Sequence, residues 1–444
     1  MPARIGALLL GIAGTLAGLL LIGVGLLNAI AGQRTPTQFM LVATTLPLGV
    51  LLLELGLAAA WLTRQVGRGQ AGRPATLPPW WLIALIFILV VGAGAGALAL
   101  DQWWLFLPFA TLAIFAPIVG AGRLGLPYDG ERPGWARLLP AFAWGALVTP
   151  LLAIVVQGLA AVGAIGAALL GLALGNQRTL EILAAMLRGL QGRTLTTAQT
   201  EALARLVAGQ PIVLLLGAFV LVFVGPVSEE LLKFGGAFLF GRTRADRPAR
   251  DSTLTVFLLG LAAGLGFAAT ENIFYATQGG ATGWPGAIVV RAITPLMHGT
   301  ASALFALGWA RQRRAPQGWS LLHGAMLAIG LHAAWNLCAG LLIVAALFVG
   351  AGGMAAAAAA LLLLLALAGM GGLLLASVAT LLRLRRTLAA ESLTPADPEP
   401  LPGDRRPTSP PNPPATIPES AWNPPLAVPG LLPFTPPPYP SAND

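Results

Sequence analysis

Charge is what this sequence has least of. Only 10% of its 444 residues are Asp, Glu, Lys or Arg, against about 25% in soluble globular proteins. That is too little polar side chain to wet the surface of a globule. Cysteine is nearly absent too: Cys338 alone excludes a disulfide framework and a paired-cysteine zinc site. Inside an apolar block, that thiol reads as a small hydrophobe. Histidine occurs three times, and Lys233 is the single lysine among the basic residues. The net charge of +9 does not make a nucleic-acid binder, because the arginines are spread between apolar blocks and not clustered on one face. These shortages exclude a secreted disulfide scaffold, a nucleic-acid-binding protein and a soluble enzyme.

What is abundant is apolar sequence, in blocks of about the length that spans a bilayer as helix. The blocks run approximately 5–31, 39–62, 80–100, 104–119, 139–175, 211–240, 254–275, 287–310, 321–348 and 355–381. They predict an all-α polytopic membrane protein with about ten transmembrane helices. The first block follows Arg4 without a clear small-residue cleavage site and reads as an uncleaved span. Arginines gather in alternate loops, at Arg64, Arg68 and Arg73, at Arg123, Arg132 and Arg137, at Arg242 to Arg250, at Arg311 to Arg314 and after the last block at Arg383 to Arg386. By the positive-inside rule this places both termini in the cytoplasm of a multi-pass cell-membrane protein. Block 139–175 is too long for one simple span, and one crossing plus a surface or re-entrant piece fits the arginines best.

Five regions follow: N-terminal spans in 1–176, an extracytoplasmic amphipathic loop in 177–210, a membrane core in 211–348, a last span with a basic flank in 349–390, and a tail in 391–444. Half of the chain's 36 prolines lie from Pro395 onward. Proline at that density favours polyproline II over packed helix or sheet, so the tail is expected to be disordered and open to a cytoplasmic partner.

A charge in the middle of a span is costly unless it is paired or functional. Glu54 and Arg291 stand as isolated cases. The concentrated case is Ser228-Glu229-Glu230-Leu231-Leu232-Lys233, followed by Phe267-x-x-x-Glu271-Asn272, His298 and His332-x-x-Trp335-Asn336 in the next three blocks. Counting helical rise from the flanking arginines puts Glu230 and His332 roughly 18 Å deep and His298 roughly 20 Å deep. Glu271 comes out nearer the outer leaflet. Glu229 and Lys233, spaced i,i+4, share a helix face and are expected to pair, leaving Glu230 free. Ser302 and Asn336 stand one turn from His298 and His332 and are expected to fix their tautomers. His323, near the start of its block, reads as a structural histidine.

Carboxylates beside two imidazoles can hold a divalent ion or activate water directly, and either route suits peptide hydrolysis in a dry site. There is no HExxH helix, no paired aspartates in any span, and neither Ser228 nor Ser302 has a nucleophile-elbow setting. The competing class is a proton- or ion-coupled transporter using the same Glu and His groups, with a non-catalytic scaffold third.

The succession Glu229-Glu230-x-x-Lys233, Phe267-x-x-x-Glu271-Asn272, His298-Gly299 and His332-x-x-Trp335-Asn336 resembles the PrsW family of intramembrane proteases, itself distantly similar to the CAAX prenyl endopeptidase superfamily. The resemblance covers roughly 210–345. It implies membrane-embedded proteolysis of a membrane-anchored protein, in the best-known case an anti-sigma factor. It places functional positions at Glu229, Glu230, Glu271, His298 and His332. The site expected has Glu229, Glu230, Lys233, Glu271 and Asn336 as catalytic residues. His298, His332 and Glu271 are the expected ligands of one divalent ion, zinc, if the mechanism is a metal one. A glutamate-activated water needs no ion. The five preceding spans and the proline-rich tail lie outside the resemblance and leave the substrate open.

Overall fold

The computed structural model describes residues 2–31, 35–67, 76–127, 133–175, 210–241, 252–277, 280–348 and 353–393, with Arg178, Glu181 and Ala184 as single positions. The proposed amphipathic loop, apart from those single positions and Gln210, and the tail from 394 lie outside the described residues. Within them the chain is helical without a β-strand, and ten segments are long and apolar enough to cross a membrane.

We number the helices α1 (Pro2–Ala31), α2 (Pro36–Gly67), α3 (Trp80–Ala99), α4 (Trp103–Gly125), α5 (Trp135–Gly175), α6 (Pro211–Phe240), α7 (Thr253–Tyr275), α8 (Gly280–Arg291), α9 (Thr294–Arg314), α10 (Ser320–Phe348) and α11 (Gly353–Leu393). Neighbours in sequence pair in space: α1 with α2, α3 with α4, α9 with α10 and α10 with α11. Large aliphatic side chains such as Leu20, Ile30, Leu151, Leu159 and Leu174 stand exposed around the outside. In lipid they need no protein partner, because the helical backbone already satisfies its own polar groups.

The centre of the bundle is α7, which packs against α5 on one side and α9 on the other. Ser252 starts it as an N-cap, its Oγ accepting the Thr255 amide. Its glycines set how close the neighbours come, since helices in lipid associate through close packing of small residues. A β-carbon on Gly264 would strike the carbonyl oxygen of His298, and one on Gly266 the carbonyl oxygen of Phe142. Gly260 and Gly264, spaced i,i+4, therefore let α9 lie directly on α7 and carry His298 to it.

One block departs from the sequence expectation and another is longer than a single span. Residues 139–175 lie within one continuous helical run of 41 residues, α5 (Trp135–Gly175), with a π-helical turn at Trp144–Val148. Block 287–310 is not one helix. It divides at Ala292–Ile293 into α8 and α9, because Pro295 cannot continue the hydrogen-bond ladder from the preceding turn and sits at the start of α9. The break leaves Arg291 at the very end of α8, inside the bundle.

Candidate active site

The site is assembled on α6. Here too a π turn, Val220–Val224, interrupts the helix just before the acidic segment. A π turn releases a carbonyl from the regular ladder and needs a new donor for it. Asn336 Nδ2 supplies one, donating to Leu221 O at 2.9 Å. The π turn of α5 is tied in the same way by Thr270 Oγ1, which donates to Ala146 O at 2.5 Å. Trp144 at that turn donates from Nε1 to Leu232 O at 2.8 Å. Both irregular turns are thus pinned by side chains of α7, α10 and α5 itself, and the turn that follows the α6 irregularity carries Glu229, Glu230 and Lys233 inward.

Lys233 Nζ uses all three of its donors. It reaches Glu230 Oε1 at 2.7 Å, His298 Nδ1 at 2.9 Å and Glu229 Oε2 at 3.3 Å, and it rests 4.0 Å from the centroid of the Phe267 ring. Because the ammonium donates to Nδ1, the His298 proton sits on Nε2, which donates to Glu271 Oε2 at 2.6 Å. His332 donates from Nδ1 to Glu230 Oε1 at 2.9 Å, so its Nε2 keeps a lone pair, 3.5 Å from Glu229 Oε2. Ser302 Oγ donates to Glu230 Oε2 at 2.9 Å, and Gln157 Nε2 donates to Glu229 Oε1 at 2.8 Å. The two imidazoles stand edge to face, 4.7 Å between centroids. Glu230 and Lys233 are completely closed off, and His298 and His332 are 1% exposed.

A cavity of about 460 Å³ opens onto this cluster. Glu229, Glu271, Arg291 and His298 line its polar end, while α5, α6 and α10 supply apolar walls. Glu230 and Lys233 lie behind that surface. Arg291 Nη2 donates to Glu271 Oε2 at 2.7 Å, its Nε donates to Asn272 Oδ1 at 3.0 Å, and its guanidinium lies 4.7 Å from the Tyr275 ring centroid.

The structure therefore brings Glu229, Glu230, Lys233, Glu271, His298 and His332 into one hydrogen-bonded cluster. Several details depart from expectation. Glu230 is not free: it is the shorter partner of Lys233, because i,i+3 lies on the same helix face as i,i+4. Ser302 serves Glu230 and not His298, and Asn336 serves the Leu221 carbonyl and not His332. Glu271, estimated nearer the outer leaflet, meets His298 all the same, since the glycine-lined α7–α9 contact carries His298 to it. Arg291 is not isolated; its ion pair with Glu271 was hidden because the α8–α9 break and the helix crossing that create it are tertiary features. Gln157, Thr270 and Trp144 carried no charge to mark them. Glu54 remains apart, lining a separate apolar cavity between α2, α4, α5 and α7.

The residues fit a divalent ion once Lys233 yields the His298 Nδ1 lone pair to it, because Nε2 is already engaged with Glu271. Among the described residues one group, Glu229, His298 and His332, offers ligand atoms within 4.8 Å of one another. One carboxylate and two imidazoles is a set used at catalytic zinc centres. Glu271 touches His298 from the far side, in the position of a carboxylate that orients a ligating imidazole.

A polytopic helical bundle with acids and imidazoles gathered beside an internal cavity is the build of a membrane-embedded hydrolase. Residues 133–370 match the model of the PrsW family of intramembrane metalloproteases. The chain belongs to that family and is a multi-pass membrane peptidase. The match begins earlier than the motif residues and takes in α5, the helix that walls the cavity. No curated protein and no solved structure gives a significant match to the chain.

Proposed function

We propose that the peptidase cuts a membrane-anchored protein segment lying in the cavity, with Glu229, His298 and His332 holding the ion. The observation that carries this reading is that Glu229 and His298 line the cavity and offer ligand atoms within 4.8 Å of His332, whose Nε2 lies 3.5 Å from Glu229 Oε2. When bound, a divalent ion polarises a carbonyl and makes water acidic enough to attack near neutral pH. Zinc suits this ligand set.

The chain's own residues do the rest. Glu230, held by Lys233 and Ser302, fixes the His332 ring and keeps its proton on Nδ1. Gln157 fixes the Glu229 carboxylate from the other oxygen. Glu271, on the cavity wall, is the carboxylate left to take the proton of the attacking water and hand it to the leaving amine. Arg291 and His298 hold it in place. Ala161, Ala164 and Ala168 fall on one face of α5 toward the cavity and allow a substrate backbone to approach closely. A regulatory protein of the anti-sigma type, with one membrane-spanning segment, fits such an opening. Both chain termini face the cytoplasm in this reading.

The test is cleavage of a membrane-anchored reporter by the purified full-length protein in vesicles. Exhaustive chelation should stop it and zinc should restore it. His298→Ala and His332→Ala should each lose stoichiometric metal in elemental analysis. Active protein without stoichiometric metal would overturn the ion assignment and leave a glutamate-activated water in its place.

A further inference from the structure

A second built site lies at the arginine-rich end of the bundle, between α9, α10 and α11. There a cavity of about 630 Å³ receives Arg311 from α9, Ser320 and His323 from α10, and Arg383 and Thr387 from α11. Cations and hydroxyls thus arrive from three helices, and no carboxylate lines the space. Among the described residues neither Arg311 nor Arg383 forms an ion pair. The adjoining cavity, about 360 Å³, continues along the same three helices and shares Leu304, Leu327 and Thr380 with the first. It is apolar, walled by residues such as Met326, Leu331 and Leu373. At Gly330, which faces it, an added β-carbon would meet nothing within 4 Å.

One atom in this inner slot is out of place for an empty apolar crevice. Ser377 is 1% exposed, lines the slot, and its Oγ has no hydrogen-bond partner. A buried hydroxyl left unsatisfied is costly, and a polar atom of a bound molecule would satisfy it. The distances suit one kind of molecule. From Arg383 to Ser377 is six residues of helix, roughly 9 Å, and from Arg383 to Leu373 roughly 15 Å. That is about half the thickness of a hydrocarbon core. Phosphate at the arginines, an ester carbonyl near Ser377 and an acyl chain beside Gly330 would fill the two cavities in order.

We propose that this cleft binds a phosphate-bearing anionic amphiphile, an anionic glycerophospholipid of the leaflet on that side, with its headgroup at Arg311 and Arg383 and one chain in the slot. Basic pockets between transmembrane helices recognise such headgroups through charge-assisted hydrogen bonds. The site is separate from the acid–histidine cluster, although α9 and α10 also carry His298 and His332. Occupancy would tie the ends of those two helices to α11.

Native mass spectrometry of the full-length protein, released from nanodiscs of mixed phosphatidylglycerol and phosphatidylcholine, tests it. Wild type should retain phosphatidylglycerol, preferred roughly tenfold over phosphatidylcholine. The double variant Arg311→Gln/Arg383→Gln should lose the preference. Arg314→Gln/Arg386→Gln, which removes the same charge from exposed positions outside the cleft, should keep it. Gly330→Phe fills the slot without touching charge and should lower retention. Equal loss in the two arginine pairs would reduce the effect to general surface charge and overturn the proposal, as would equal retention of the two lipids. Displacement of the lipid by millimolar inorganic phosphate, with Gly330→Phe behaving as wild type, would assign the cleft to a soluble phosphate and overturn it as well.

Discussion

Lys233 Nζ lies 2.7 Å from Glu230 Oε1, and both side chains are wholly closed to solvent. The only lysine of the chain is therefore the counter-charge at the heart of its acidic cluster. It also touches Glu229 and His298, so a single ammonium joins two carboxylates and an imidazole from two helices. Arginine, with a planar and larger head, could not occupy that compact three-donor position.

Removing one member of a buried ion pair strands the other. Lys233→Met should thus destabilise the fold by about 3–5 kcal/mol, read as a fall in thermal midpoint and in monodisperse yield from detergent. The double variant Glu230→Gln/Lys233→Met, which removes charge of both signs, should recover much of that stability. A Lys233→Met protein as stable as wild type would show that the ammonium is not needed as a counter-charge.

Glu229 and Glu230 are adjacent in sequence but differ in kind of placement. Glu229 reaches the cavity, whereas Glu230 holds His332 from behind. Glu229→Gln should lose the ion and the activity together. Glu230→Gln should fold and lose cleavage, while metal affinity falls by about 10–100-fold, the usual effect of losing an orienting partner. Elemental analysis and metal titration, run beside reporter cleavage, separate the two. Identical metal loss in both would place them in one role.

In the proposed mechanism Arg291 acts through its ion pair with Glu271, as a positioning residue. Arg291→Gln should lower kcat on the order of a hundredfold with little change in KM, since misplacing a catalytic group by a small distance costs about that much. Arg291→Lys should not restore the rate, because an ammonium cannot donate in the forked geometry that joins Asn272 and Glu271. A shift in KM alone would make Arg291 a substrate contact.

Topology is open to chemical labelling. In a Cys338→Ala background, a cysteine at Gln317, in the exposed turn between α9 and α10, should react with a membrane-impermeant thiol reagent only after the cells are opened. Labelling in intact cells would invert the arginine-based orientation.

Much of this protein is written in its one-dimensional pattern. Long apolar blocks must become helices in lipid, because no other single-chain segment can satisfy its own backbone there. Charges placed in that apolar sequence are costly enough that Glu229, Glu230, Lys233, Glu271, His298 and His332 declare themselves without any structure. What the sequence could not decide is which of their atoms meet. That depended on features with no local signature. One is the glycine-lined crossing of α7 and α9, which carries His298 to Glu271. Another is the break before Pro295, which turns Arg291 inward. The third is the pair of π turns held by Asn336 and Thr270. Helical periodicity fixes the face on which a side chain stands, but only the packing of one helix against another fixes the few ångströms between a carboxylate and an imidazole.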